Sequence, residues 1–358
     1  MDMIKILEDL QSAMNLEFEE RVIIFEKYKS ILELEVFNNP SNVYAFSLIA
    51  MISLELRNDV EFSIKILEEY YGRNKDIISD DDFSLWATNM AYFISEEYED
   101  YDRAIKLLTE AVKRSSKYAN TYYALGKLHF MKKDFNGAKK LFNKAFKISF
   151  NNIYRYCEAI SLIKLNKKEE SISKLKSIYT VPFIDEEIDG KIALMLGIEL
   201  ALNGKEEESK KIVQCILNSD YERFNIETDD LGELMYILND YHKCVEFYDK
   251  ANLYVDDSWI GQYFFALKKI GNINKAYEKL KKIELNIEKN IYEEEFNSED
   301  WECEDDYKDY IDSEKRRLDS IKKCYVKVVE ENFKPIPNIY YDIFYKCYYI
   351  NCPRHYIK

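Results

Sequence analysis

The stretch Thr121 to Phe130, followed by Asp134 to Ile148, limits this chain to a narrow set of folds because its pattern recurs along the sequence. Tyr122, Leu125, Gly126 and His129 fall at helical spacing, Met131 to Asp134 is polar, and Ala138, Leu141, Phe142 and Ala145 resume the spacing. That predicts a helical hairpin. Gly126 and Ala138 let the two backbones approach closely, and Tyr122 and Phe142 fill the wedge between them. Ordering the chain costs roughly 1–2 kcal/mol per residue in backbone entropy. One hairpin cannot bury enough apolar surface to offset that, so it needs neighbours on both sides.

The neighbours are present. With Ala138-x3-Phe142 as anchor, counterparts are Ser63-x3-Leu67, Ala104-x3-Leu108, Ser171-x3-Leu175, Ser209-x3-Val213, Cys244-x3-Tyr248 and Ala276-x3-Leu280, each pairing a small residue with a larger apolar one. Successive anchors lie 41, 34, 33, 38, 35 and 32 residues apart. Upstream small residues accompany several of them (Ala91, Gly126, Ala159, Gly197, Gly232), whereas Met51 and Phe264 break that rule. The Tyr-x2-Leu-Gly-x2-His and Ala-x3-Phe arrangement resembles the tetratricopeptide repeat, with His129 where that family prefers Tyr and Phe150 near its closing Pro. The resemblance implies an all-α, right-handed superhelix, an α-solenoid of about seven such hairpins with helical caps.

Composition agrees with that class. Hydrophobic residues are 47% and charged residues 33%, too apolar for a disordered chain, and only 9 Gly and 5 Pro leave few punctuators for strands and tight turns. The reading divides the chain into N-terminal capping helices (1–40), the repeat array (41–286), an acidic segment (287–314), and a C-terminal capping helix with an aromatic-rich tail (315–358) expected to dock on the last repeats. The start carries acidic residues and no long apolar run, and nothing approaches the roughly 18 apolar residues of a spanning helix. A soluble, cytoplasmic protein is expected, its seven scattered cysteines as free thiols.

Charge is segregated. Between Arg103 and Lys176, eighteen Lys and Arg stand against five acidic residues, in a chain of net −15. Asn286 to Glu314 holds thirteen acidic residues against two Lys. The basic band, with Lys139, Lys140 and Lys144 on a second arm, reads as a solvated outer face, as a dock for the acidic segment near Glu302, or, against the net charge and without any recognition motif, as a nucleic-acid surface.

In the family this chain resembles, first arms line a concave groove that holds a peptide or a partner's helix. Helix phase then assigns to the groove Tyr123, Lys127 and Phe130, Tyr156 and Ile160, Leu194 and Ile198, Glu233 and Tyr236, and Phe265. A one-residue shift of phase exchanges groove for core. An apolar peptide with its acidic end at Lys127 and its basic end at Glu233 would suit such a groove. Catalytic constellations are scarce: the three histidines His129, His242 and His355 are far apart in sequence, His129 reads as a core residue, and no phosphate loop, Gly-x-Ser-x-Gly or His-Glu-x-x-His occurs. Cys347, Cys352 and His355 form the one Cys/His cluster, which lacks a fourth zinc ligand and reads first as packing or free thiols. The sequence thus predicts a protein-interaction scaffold, with a peptide-sensing regulator or toxin-neutralising inhibitor as the alternative. No enzyme activity, cofactor or metal is expected, and the partner is a protein or peptide.

Overall fold

The computed structural model describes residues 2–251, 258–296 and 303–355, and within them every regular element is a helix. The chain is an α-solenoid of helical hairpins. The hairpins pair a first arm with a second: α3 (Val43–Arg57) with α4 (Val60–Asn74), α5 (Asp80–Tyr92) with α6 (Tyr101–Lys113), α7 (Ala119–Met131) with α8 (Phe135–Ser149), and α9 (Asn152–Lys164) with α10 (Lys168–Lys176). Farther along, α11 (Asp189–Leu202) pairs with α12 (Glu206–Leu217), α13 (Thr228–Ile237) with α14 (Tyr241–Lys250), and α15 (Ile260–Lys269) with α16 (Ile273–Phe296). Helices α1 (Met3–Ala13) and α2 (Phe18–Asn38) precede them, and α17 (Glu304–Tyr325) follows. Two compact units result: Met1–Ile178 with Tyr341–Lys358, and Tyr179–Tyr340.

The anchor residues explain the packing. Ser63, Ala104, Ala138, Ser171, Ser209, Cys244 and Ala276 are all fully buried, at 0% exposure. A Cβ on Gly126 would come within 2.8 Å of the Phe142 ring, and one on Gly232 within 2.6 Å of the Tyr248 ring, so the arms meet at distances only glycine permits. Two of the polar anchors bond across the hairpin: Ser63 Oγ donates to the Ala50 carbonyl at 2.8 Å and Ser209 Oγ to the Gly197 carbonyl at 2.7 Å.

Each turn within a hairpin uses one left-handed residue, Asn58, Glu99, Lys133, Asn166, Gly204, Asn239 or Gly271. An aspartate follows four of them, Asp59, Asp100, Asp134 and Asp240, and each accepts a hydrogen bond from a backbone N–H in the first turn of the second arm. His129 sits at such a turn, half-buried, with Nδ1 2.7 Å from Asp134 Oδ2. The core placement expected for it is therefore wrong, because position 129 closes the arm instead of facing its partner.

The acidic segment is more ordered than its charge suggests. Its described residues extend α16 to Phe296 and begin α17 at Glu304, while Glu302 lies outside the described residues. Within this unit the Glu284 carboxylate is held down to about 2 by hydrogen bonds from Lys281 and Lys322. In the basic band, Lys140 and Lys144 are exposed and Lys139 half-buried on α8.

Candidate functional site: the first-arm faces and the C-terminal segment

First arms are buried almost without interruption, as at Ala45–Leu54 in α3 and Phe83–Tyr92 in α5. A helix apolar all round needs cover on two sides. Second arms supply one side. The C-terminal segment, an extended chain without regular structure after Glu331, supplies the other.

In the first unit this segment is held by its main chain. Tyr123 Oη donates to the Phe344 carbonyl at 2.6 Å and accepts from the Lys346 N–H at 2.8 Å. Asn89 accepts from the Ile350 N–H at 2.6 Å and donates to the Ile350 carbonyl at 3.1 Å. Asn120 donates to the Tyr348 carbonyl at 3.0 Å, and Gln11, from α1, to the His355 carbonyl at 2.6 Å. Side chains of the segment fill the face between these bonds. Tyr348 and Tyr349 are buried and stand edge-on to the Tyr92 ring with centroids 5.4 Å away, and Tyr349 Oη donates to the Ser47 carbonyl at 2.6 Å. Tyr348 Oη meets Ser95, which lies on the π-helical turn Phe93–Glu97 that extends α5. Burial pushes the Tyr123, Tyr348 and Tyr349 phenols well above their ordinary range, so all three stay protonated and able to donate.

The second unit repeats the mode. Tyr236 Oη donates to the Pro335 carbonyl at 2.7 Å, Gln262 Nε2 to the Ile336 carbonyl at 2.8 Å, and Glu233 accepts from the Asn338 N–H at 2.8 Å. Lys334 lies over the Tyr236 and Phe265 rings. Desolvation raises the Glu233 carboxyl, against the hydrogen bonds from Tyr248 and Asn338 that favour its charge.

Of the residues assigned to a groove from sequence, Tyr123 and Lys127 in one unit, and Glu233, Tyr236 and Phe265 in the other, therefore meet the C-terminal segment. Phe130 packs edge-on against Phe135, with centroids 5.1 Å apart, across its own hairpin turn. Tyr156, Ile160, Leu194 and Ile198 are buried in α9 and α11. The charges expected to receive a peptide's ends are engaged inside the chain: Lys127 Nζ pairs with Glu96 at 2.8 Å beneath the Tyr345 and Tyr348 rings, and Glu233 is bonded as above. The tail does not confine itself to the last repeats. Its final residues lie on α3, α5 and α7, because the apolar first arms there have the uncovered faces and Tyr348, Tyr349 and Ile350 the apolar surface to cover them.

Asn89, Asn120, Gln262 and Gln11 escaped sequence reasoning. For the first three the signal was an amide inside an otherwise apolar first arm, as in Trp86-Ala87-Thr88-Asn89-Met90-Ala91, while Gln11, on the mixed helix α1, carried none. A buried amide costs free energy unless bonded, so such a residue implies a main-chain partner from elsewhere in the chain.

Residues 97–178 match the model of a family described as anaphase-promoting complex, cyclosome, subunit 3. No curated protein matches this chain. Among solved structures it is similar to YrrB, described as a TPR protein with an unusual peptide-binding site, at 11% identity over 61% of this chain and 97% of that one, with a TM-score of 0.41. It is also similar to the P58(IPK) TPR domain, at 14% identity over 90% of this chain and 100% of that one, with a TM-score of 0.25.

Proposed function

We propose that the helical hairpins of this chain are tetratricopeptide-type repeats and that it is a protein-interaction scaffold whose first arms hold an extended peptide segment. The site that takes a partner is the one its own C-terminal segment occupies. The observation carrying this reading is the two-sided hydrogen bonding of main chain by single side chains, Asn89 on Ile350 and Tyr123 on Phe344 and Lys346. Such bonds recognise an extended backbone whatever its sequence, while the space taken by Tyr348 and Tyr349 selects aromatic side chains at adjacent positions. A partner would therefore present an extended segment with paired aromatics, and it would exchange with the tail. The reading is of a binding protein without catalysis.

The test is competition. A labelled peptide with the sequence of residues 341–355 is titrated into the full chain and into the Tyr348→Ala/Tyr349→Ala variant, whose own segment is weakened. The variant is expected to bind at least about tenfold more tightly, equivalent to about 1.4 kcal/mol, and to lose that binding when Asn89→Ala and Tyr123→Phe are added. A peptide bound by neither chain, or bound equally after the groove substitutions, would sink the proposal.

A further inference from the structure

The end of the C-terminal segment carries chemistry that peptide holding does not use. The thiols of Cys347 and Cys352 and a ring nitrogen of His355 lie within 4.8 Å of one another, the sole such group among the described residues. His355 Nδ1 is 3.3 Å from Cys352 Sγ. From this convergence we propose that Cys347, Cys352 and His355 bind a zinc ion.

The geometry is close to what the ion requires. Zn–S bonds of about 2.3 Å and Zn–N bonds of about 2.0–2.1 Å in a tetrahedral arrangement place ligand atoms roughly 3.5–3.8 Å apart. The present separations close on that with small side-chain rotations. The turn Cys352-Pro353-Arg354-His355 fixes two of the ligands, with the His355 N–H reaching back to the Cys352 carbonyl at 3.5 Å. Gln11 Nε2 holds both of those residues by their carbonyls, at 3.3 and 2.6 Å, so the ligand backbone is set before any ion arrives.

Charge favours the same ion. Two thiolates offset the two positive charges of zinc. Arg354, between the ligands in sequence, is paired with Glu55, which balances its charge, with Nη1 3.2 Å from Tyr92 Oη. Two sulfurs and an imidazole select zinc over magnesium or calcium, which require oxygen ligands. No fourth Cys, His, Asp or Glu of the described residues joins the group, which leaves the fourth position to water. Cys352 is buried and His355 exposed, so the site has a dry floor and an open entrance. Given the proposed function, the ion would pin the tail and slow its exchange with a partner. Metal binding is measured without any peptide, so failure of either idea is distinguishable from failure of the other.

The experiment uses the full chain, reduced and freed of metal with a chelator. Cobalt(II) is the spectroscopic probe, followed by zinc in competition with a chromophoric chelator. One equivalent of cobalt is expected, with an intense thiolate-to-metal charge-transfer band, displaced by zinc. Cys347→Ser is expected to abolish the band, and His355→Gln, at an exposed position that leaves folding intact, to weaken binding at least about tenfold. Far-UV circular dichroism of each variant separates ligand loss from unfolding. Uptake without the charge-transfer band, uptake unchanged in both variants, or a Cys347–Cys352 disulfide in protein purified without reductant together with no metal uptake after reduction, would each overturn the proposal.

Discussion

Tyr123 shows how one atom can decide the state of a segment. Its hydroxyl donates to one main-chain group of the tail and accepts from another. Tyr123→Phe leaves the ring packed against Phe142 and Tyr154 but orphans the Lys346 N–H and leaves the Phe344 carbonyl only the Cys157 thiol, 3.8 Å away. Each buried orphan costs about 1–3 kcal/mol. Hydrogen exchange of the Lys346 amide is therefore expected to accelerate at least about tenfold in this variant. Unaltered exchange would mean that the hydroxyl does not hold the segment. Asp230 works in the opposite sense, against stability at neutral pH. Burial, with the Asp229 charge beside it, pushes its carboxyl up to about 6. An unfolded carboxyl titrates near about 3.9, so the folded state binds the extra proton between the two values. The stabilisation is complete below about pH 4 and is lost as pH rises through about 6. Asp230→Asn is expected to be the more stable form at pH 7.5, by up to about 2 kcal/mol, and equal to the parent near pH 4. Thermal melts at the two pH values check it, and a gap that persists at pH 4 would assign the effect to something other than ionisation.

At the level of the element, the hairpin is held by its anchor and its turn. Lys133 is exposed and left-handed at φ 63°, where a Cβ is strained. Lys133→Gly is expected to stabilise the α7–α8 hairpin by roughly 0.5–1 kcal/mol, read as a shift in denaturant midpoint without change of slope, and a lower midpoint would contradict the account. The hairpins were legible in the sequence because their physics is local. A small residue paired with a large one four positions on is a spacing, and Ser63, Ala104, Ala138, Ser171, Ser209, Cys244 and Ala276 all became fully buried anchors. The cover on the first arms was illegible because its cause is not local. Nothing in the phase of α5 says that Asn89 will bond to Ile350, 261 residues away. A groove and a groove already filled have the same helix periodicity. The excess of apolar residues around the full circumference of α3 and α5, with the lone amide of Asn89 set inside it, betrays the difference.

The chain as a whole returns from its far end to its beginning. Tyr341 to His355 is separated from the rest of its unit by the whole of the second one in sequence, yet Ile343, Tyr348, Tyr349 and Ile350 are buried there. A chain ending at Tyr340 separates the two units energetically, because it strips the segment from the first and leaves Pro335, Ile336 and Asn338 bonded to α13 and α15 in the second. Hydrogen exchange is expected to rise in α3, α5 and α7 and to stay unchanged in α13 and α15. A dye that reports exposed apolar surface should bind the shortened chain, and the peptide of residues 341–355 added in trans should displace it and restore protection. Protection unchanged in α3, α5 and α7 would mean that these arms are stable uncovered, and the tail would then be a passenger on the face it covers.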